Sequence, residues 1–156
     1  MKIEFNESLQ SFVIETKNTS YVMGVLDGKY LGHIYYGKKI SLEGMGKNDV
    51  ISFFRAAENP YFPSKNPGEK ISFMDLFPFE FPGGGVGDYR ESAIEIRNNE
   101  GFLGCEFYYD SYRIYDDKCK LKELPCTFAD KEKSITLEIV LKEPVLALEL
   151  VLMYSI

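Results

Sequence analysis

Few side chains in this chain have both a type and a setting that could support catalysis. His33 is the only histidine among the 156 residues, and no serine or cysteine lies in a sequence typical of an activated nucleophile. A single histidine within a strand is more often a packed, hydrogen-bonded residue than a general base. We therefore interpret His33 as a structural residue that anchors a neighbouring loop, and the motifs predict no catalytic residue.

A glycine-rich run raises the question of phosphate binding. The run Gly83-Gly84-Gly85-Val86-Gly87 has neither the preceding strand nor the following helix and lysine that a phosphate loop needs, and Asp88 adds negative charge beside it. The run is more typical of a turn. Asp88 and Arg90 stand two residues apart, so in an extended chain they point the same way and can pair. This spacing predicts that they anchor the loop.

Composition excludes several kinds of partner. The chain has 18 basic and 24 acidic residues, for a net charge of −6, which repels phosphate backbones and anionic lipid. We expect neither nucleic acid nor a membrane as a partner. The cysteines Cys105, Cys119 and Cys126 are odd in number and form no CxxC pair, which predicts no metal site, no cofactor and a reducing, cytoplasmic location. The opening residues also lack the apolar run of a secretory signal.

The elements that must position these residues are predicted to be strands. Apolar residues alternate through Ser134–Leu141 and again at 148–154, with Lys142-Glu143-Pro144 as the connection, as a sheet with one buried face requires. Asp27-Gly28 predicts a tight hairpin between Ser20–Leu26 and Lys29–Tyr36. Further strands are expected at 93–96, 102–109 and 111–114, for roughly eight to ten in all. The pattern predicts one all-β domain over residues 1–156, a mostly antiparallel β-sandwich.

One long segment interrupts the alternation. Residues 41–90 contain most of the prolines, the glycine run and many aromatic residues, with one or two helical turns expected within Lys47–Ala57. Loops of this length inside a compact domain are usually functional or pack against another part of the protein. We therefore expect the main interaction surface here.

A set of short motifs occurs in order along the chain. They are Asn18-Thr19-Ser20-Tyr21, His33-Ile34-Tyr35-Tyr36-Gly37, Phe77-Pro78-Phe79-Glu80-Phe81-Pro82, Gly87-Asp88-Tyr89-Arg90 and Leu124-Pro125-Cys126-Thr127. Together they resemble the N-terminal β-sandwich of glycoside hydrolase family 36, the microbial α-galactosidases that hydrolyse melibiose and raffinose. The resemblance covers essentially the whole chain. It implies part of a β-supersandwich whose parent enzyme cleaves terminal α-galactosides.

The resemblance implies that catalysis lies elsewhere in the parent. Its two catalytic aspartates stand on a later (β/α)₈ barrel, the nucleophile within a Lys-Trp-Asp sequence, and this chain has no tryptophan. We therefore expect a non-catalytic domain that serves as scaffold and oligomer contact. Its expected partners are the barrel domain of its own polypeptide and further copies of the chain. Because half a sandwich leaves open strand edges, the isolated chain is expected to self-associate or to cover those edges with its own long loop.

The resemblance also suggests a contact with a neighbouring subunit. In tetrameric members a loop after the His-x-Tyr-Trp-Gly stretch reaches toward a neighbour's sugar pocket, and by position it corresponds to Lys47–Lys70. Asp49, Arg55 and Lys70 are the polar candidates for binding an α-galactoside there. The alternative for all three is solvated surface charge.

Two other functions remain open at this point. The tyrosines and the aromatic loop are compatible with a free-standing carbohydrate-binding β-sandwich, since aromatic rings can stack on sugars. A small complete glycosidase would need two carboxylates about 5–5.5 Å apart in a cleft, and the sequence does not select such a pair.

Overall fold

Two antiparallel sheets make up the computed structural model, which describes residues 1–50, 76–85, 87–120, 123–127 and 134–156. The first sheet has the order β1-β2-β3-β4, with strands Lys2–Asn6, Ser11–Glu15, Thr19–Leu26 and Tyr30–Lys38. The second has the order β5-β6-β7, with strands Tyr108–Asp116, Ile135–Glu143 and Leu148–Ser155. The predicted all-β, mostly antiparallel fold is confirmed.

The two sheets enclose the main core. Phe12 and Met23 of the first sheet and Leu137 and Ile139 of the second are all fully buried in one cluster. The face predicted for β6 is confirmed, since Leu137, Ile139 and Leu141 are each at most 3 % exposed. Their alternation buries one face of the strand, as period two requires.

The predicted hairpin between β3 and β4 is confirmed. Asp27 and Gly28 both have positive φ, 52° and 67°, the conformation whose twist matches the flanking strands. β3 is buried on both faces, because a second cluster covers the side opposite the main core. That cluster contains Leu9, Leu26, Tyr30, Val50 and Phe77. The residues around Phe77 therefore pack against the first sheet from outside the sandwich.

Some strand predictions were wrong. The turn at 98–101 is present, with Gly101 N–H donating to Asn98 O at 3.0 Å, but only an isolated bridge between Arg97 and Leu103 flanks it. Residues 93–96 are not a strand, because Ala93 N–H bonds to Pro82 O instead. Cys105 N–H likewise donates to Gly83 O at 2.9 Å. Apart from the turn and its bridge, this part of the chain bonds to Pro82 and to the glycine-rich run.

The boundaries near β5 and β6 also differ from the prediction. β5 is continuous over Tyr108–Asp116 with a bulge between Tyr109 and Ser111, which merges parts of two predicted strands. Lys142 and Glu143 belong to β6, and the reversal lies at 144–147, where Ala147 has a φ of 53°. A helix begins at Lys47 and includes Val50, and the rest of the predicted Lys47–Ala57 segment lies outside the described residues. Within the described ranges, no helix is long and apolar enough to span a membrane.

Candidate functional site

A short segment runs along the outer edge of β4. His33 N–H donates to Pro78 O at 2.8 Å, and Glu80 N–H donates to Leu31 O at 3.0 Å. Gly32 forms an antiparallel bridge with Phe79. The backbone of the Phe77–Pro82 motif is thereby fixed against the strand, and this pairing delivers the Glu80 side chain to the end of the sandwich.

Glu80 is the centre of a buried hydrogen-bond cluster. Tyr21 Oη donates to Glu80 Oε1 at 2.5 Å, and Tyr154 Oη donates to the same atom at 2.6 Å. The Glu80 side chain is only 8 % exposed. Tyr21 belongs to the first sheet and Tyr154 to the second, so one carboxylate oxygen joins both sheets to the loop. Hydrogen bonds to a charged acceptor are roughly twice as strong as neutral ones.

His33 lies beside this cluster at its solvent side. Its Nδ1 is 3.9 Å from Glu80 Oε2, and its side chain is 39 % exposed. The ladder between β3 and β4 shifts register between Val22 and Met23, which lets His33 and Tyr36 both approach Tyr21. Their ring centroids lie 5.2 and 5.8 Å from that of Tyr21. Tyr36 is 68 % exposed, so the cluster ends in an aromatic surface.

The two phenols of the cluster stay protonated well into alkaline pH. Burial and the Glu80 carboxylate both raise the pKa of Tyr21, and the same causes raise the pKa of Tyr154 further. A phenolate here would lose its hydrogen bond and face a carboxylate in a poorly hydrated place. The chemistry of the cluster is therefore donation of fixed hydrogen bonds, not proton transfer near neutral pH.

Stability should fall at alkaline pH because of these phenols. Their pKa in the folded chain exceeds the unfolded value of about 10, so the folded state keeps protons that the unfolded state releases. The free energy of unfolding should hold below about pH 10 and decline above it. Tyr154→Phe should flatten that decline, measured by urea denaturation at successive pH values. Tyr36→Phe, at an exposed ring, should keep the parent slope; an equal flattening in both variants would contradict the assignment.

Asp88 and Arg90 form a second anchor next to the first. Arg90 Nε donates to Asp88 Oδ1 at 2.9 Å, and the Asp88 side chain is 4 % exposed. The Arg90 guanidinium lies 5.1 Å from the centre of the Phe79 ring, a cation–π distance. Asp88 Oδ2 and Arg90 Nη2 are buried atoms without a hydrogen-bond partner. The pair links the glycine-rich run to the residue that precedes Glu80.

The glycines of the run permit close backbone packing. A Cβ on Gly83 or Gly85 would collide with the carbonyl oxygen of Cys105. Gly84 and Gly87 have positive φ, 65° and 88°, which glycine adopts without strain. The run is a tightly packed turn, as the sequence indicated, and the negative charge of Asp88 at its end makes it unsuitable for phosphate.

The structure describes only one of the three proposed sugar-binding residues. Asp49 is exposed, and its Oδ2 accepts a hydrogen bond from Gly46 N–H at 2.7 Å, which caps the helix that starts at Lys47. Arg55 and Lys70 lie outside the described residues. Glu80 and Tyr154 were missed by sequence reasoning. The one available signal for Glu80 was a single acid between Phe79 and Phe81, in a run of aromatic residues and prolines.

Comparison with known proteins identifies the fold. The family model described as the glycosyl hydrolase family 36 N-terminal domain matches residues 29–156. The chain belongs to this family. Among curated relatives, the bifunctional α-galactosidase/sucrose kinase AgaSK of Mediterraneibacter gnavus is 32 % identical over 100 % of the chain and 16 % of its own length. The α-galactosidase AgaA of Geobacillus stearothermophilus is 29 % identical over 99 % of the chain and 21 % of its length.

Solved structures of family 36 enzymes give the same result. The galactosidase domain of AgaSK superposes with a TM-score of 0.82 at 31 % identity, covering 99 % of this chain and 21 % of that one. The α-galactosidase from Lactobacillus brevis gives 0.81 at 28 % identity, covering 99 % and 20 %. The chain therefore spans about a fifth of the length of these family 36 relatives and corresponds to their N-terminal β domain.

Proposed function

We propose that this chain serves as the non-catalytic N-terminal β-sandwich of an α-galactosidase that hydrolyses terminal α-galactosides. The observation that carries the proposal is the extent of the alignment. Essentially the whole chain matches only the N-terminal part of relatives named as α-galactosidases. In this role the chain is a scaffold for a catalytic barrel that follows it in the same polypeptide.

The buried acids of the described residues support a structural role. Glu80 accepts two phenolic hydrogen bonds, Asp88 pairs with Arg90, and Glu143 Oε2 accepts from Leu146 N–H at 2.5 Å. A retaining glycosidase needs one carboxylate free to attack and a second free to donate a proton, about 5–5.5 Å apart. Each of these three carboxylates instead has a partner that fixes a loop or a turn.

The same role includes contacts with other parts of the assembly. β7 is an edge strand of the second sheet in the described part of the chain, and such an edge invites pairing with a further segment. We assign that segment to the remainder of the polypeptide or to another copy in a homo-oligomer. The Asp49 loop, with Arg55 and Lys70, is assigned to the rim of a neighbouring subunit's sugar pocket. A cytoplasmic location accompanies this role, since all three cysteines are free thiols.

The first test is the nucleotide sequence that follows the codon of Ile156. We expect an open frame that continues through a barrel with a Lys-Trp-Asp motif, whereas a stop codon directly after Ile156 would contradict the domain role. The polypeptide expressed from the whole frame should cleave p-nitrophenyl α-galactoside, and residues 1–156 alone should not. The matched control is the same polypeptide with the motif aspartate changed to asparagine, which should be inactive. Hydrolysis by residues 1–156 alone would overturn the assignment.

A further inference from the structure

Two of the three cysteines line one surface pocket, which is formed by described residues of the connection between β5 and β6 and by β7. Cys119 and Cys126 both line it, beside Met153 and Ser155 of β7. Both are free thiols; Cys126 is exposed and Cys119 is partly exposed. The pocket therefore places two accessible thiols on one small surface. Neither thiol is buried deeply enough in the described structure to exclude small reagents.

A contact between Lys118 and Thr127 holds together the two chain segments that contain Cys119 and Cys126. Lys118 Nζ donates to the backbone carbonyl of Thr127 at 3.1 Å and also contacts the Thr127 hydroxyl. Cys119 follows Lys118 and Cys126 precedes Thr127, so the thiols are the next residues inward from this clamp. Positions next to a contact that closes a loop are themselves brought near each other, because consecutive Cα atoms are only about 3.8 Å apart.

Local backbone geometry restricts where the thiols can go. Glu123, which lies between the two cysteines in sequence, has a φ of 64°, a left-handed conformation that is uncommon for residues other than glycine and typical of turns. Pro125 fixes its own φ near −65° directly before Cys126. On the other side, Tyr115 of β5 lies close enough to Cys119 for the two side chains to interact, and burial together with this interaction raises the pKa of the Tyr115 phenol. Cys119 therefore lies near the end of β5, and Cys126 lines the same pocket.

The third cysteine provides a contrast within the same chain. Cys105 is 2 % exposed in the main core, and burial together with the nearby Glu143 raises the pKa of its thiol. Thiolates, not thiols, attack disulfides. Cys105 should therefore be inert under conditions that oxidise exposed thiols.

We propose that Cys119 and Cys126 are a redox-active pair that closes to an intramolecular disulfide when the thiol pool becomes oxidised. The oxidant is a low-molecular-weight disulfide. One cysteine thiolate attacks it, forms a mixed disulfide and expels one small thiolate. The second cysteine thiolate then attacks the protein sulfur of that mixed disulfide, forms the Cys119–Cys126 bond and expels the second small thiolate. The two protons lost by the cysteine thiols are taken up by the two expelled thiolates, so the small disulfide is reduced to two thiols and the protein pair is oxidised to one disulfide.

The bond would tie the beginning of the β5–β6 connection to its later part. Exposed disulfides generally have more oxidising potentials than buried structural ones, and they behave as labile or regulatory bonds. The pair should thus be reduced in an ordinary cytoplasm and should close under oxidative stress. Closure joins two described parts of this connection, which line one pocket together with β7, an edge strand of the second sheet. This site is independent of the Glu80 cluster and of the assignment to a glycosidase.

The test is oxidation of the folded chain with oxidised glutathione, followed by alkylation and a non-reducing peptide map. We expect a mass decrease of about 2 Da, a peptide pair joined through Cys119 and Cys126, and an alkylated Cys105 after unfolding. Cys105→Ser should give the same linked pair. Cys126→Ser should instead leave a glutathione adduct on Cys119. Stable glutathione adducts on both cysteines of the parent chain, or a link between two chains, would overturn the proposal.

A second variant tests the clamp. Lys118→Met keeps the length of the side chain but removes the donors to Thr127. It should lower the yield of the intramolecular bond several-fold at a fixed ratio of oxidised to reduced glutathione, because the effective concentration of one thiol near the other falls. Lys120→Met is the matched control and should keep the parent yield. Equal yields in both variants would contradict the role given to Lys118.

Discussion

Replacing Glu80 with alanine should lower the free energy of unfolding by about 4 kcal/mol. The change removes the acceptor shared by Tyr21 and Tyr154, and it leaves two partly buried hydroxyl groups without a partner. Each hydrogen bond to a charged group contributes roughly 1.5–3 kcal/mol, and an orphaned buried donor adds a penalty. The loss should be measured by urea denaturation near pH 7, with the slope checked for two-state behaviour.

Two further variants separate the cluster from loss of bulk or charge. Glu80→Gln keeps an oxygen that can accept, so it should be intermediate between Glu80→Ala and the parent chain. Glu95→Ala removes an exposed carboxylate and should unfold near the parent midpoint. If Glu80→Ala also unfolded near the parent midpoint, the carboxylate would not be what holds the two sheets to the loop.

The strands with local signals were predictable from the sequence. The hairpin of β3 and β4 depends on two adjacent turn residues, Asp27 and Gly28, and the alternation in β6 lies within one strand. These features need only the conformational preferences of neighbouring residues and the period of a sheet. The order of the short motifs indicated the family, because each motif keeps its own local chemistry even where the intervening sequence differs.

The Glu80 cluster was not predictable in this way. Tyr21 and Tyr154 lie 59 and 74 residues from Glu80 in sequence, and no local pattern connects them. A carboxylate next to prolines and phenylalanines is ordinarily read as a solvated loop residue. Only the pairing of the Phe77–Pro82 motif with β4 shows that the Glu80 side chain lies at the end of the sandwich, within hydrogen-bond distance of both sheets.

The wrong prediction of a strand at 93–96 has a different physical cause. Its alternation is real, since Ile94 and Ile96 pack against the main core while Ala93 and Glu95 are exposed. The period of two describes which side chains are buried, but not where the backbone finds its hydrogen bonds. Ala93 N–H bonds to Pro82 O, beside the glycine-rich run, so an extended segment with a strand-like pattern is not part of either sheet.

Replacing Asp88 with alanine should lower the free energy of unfolding by about 3 kcal/mol. Its carboxylate is almost entirely buried and accepts the Nε–H of Arg90, so the change leaves a partly buried guanidinium without its counter-charge. Breaking a buried ion pair by removing one partner costs roughly 3–5 kcal/mol, and the Arg90 side chain reaches solvent enough to favour the lower end. Thermal and urea denaturation should both report the loss.

An exposed ion pair in the same chain provides the comparison. Arg113 Nη2 donates to Glu138 Oε2 at 2.7 Å, closer than the Asp88 pair, but the Arg113 side chain is 67 % exposed. Arg113→Ala should therefore leave the unfolding midpoint almost unchanged, since solvent screens such pairs. Distance alone would rank the two pairs the other way. If Arg113→Ala proved as destabilising as Asp88→Ala, burial of Asp88 would not explain the effect, and the anchoring role of the Asp88–Arg90 pair would be contradicted.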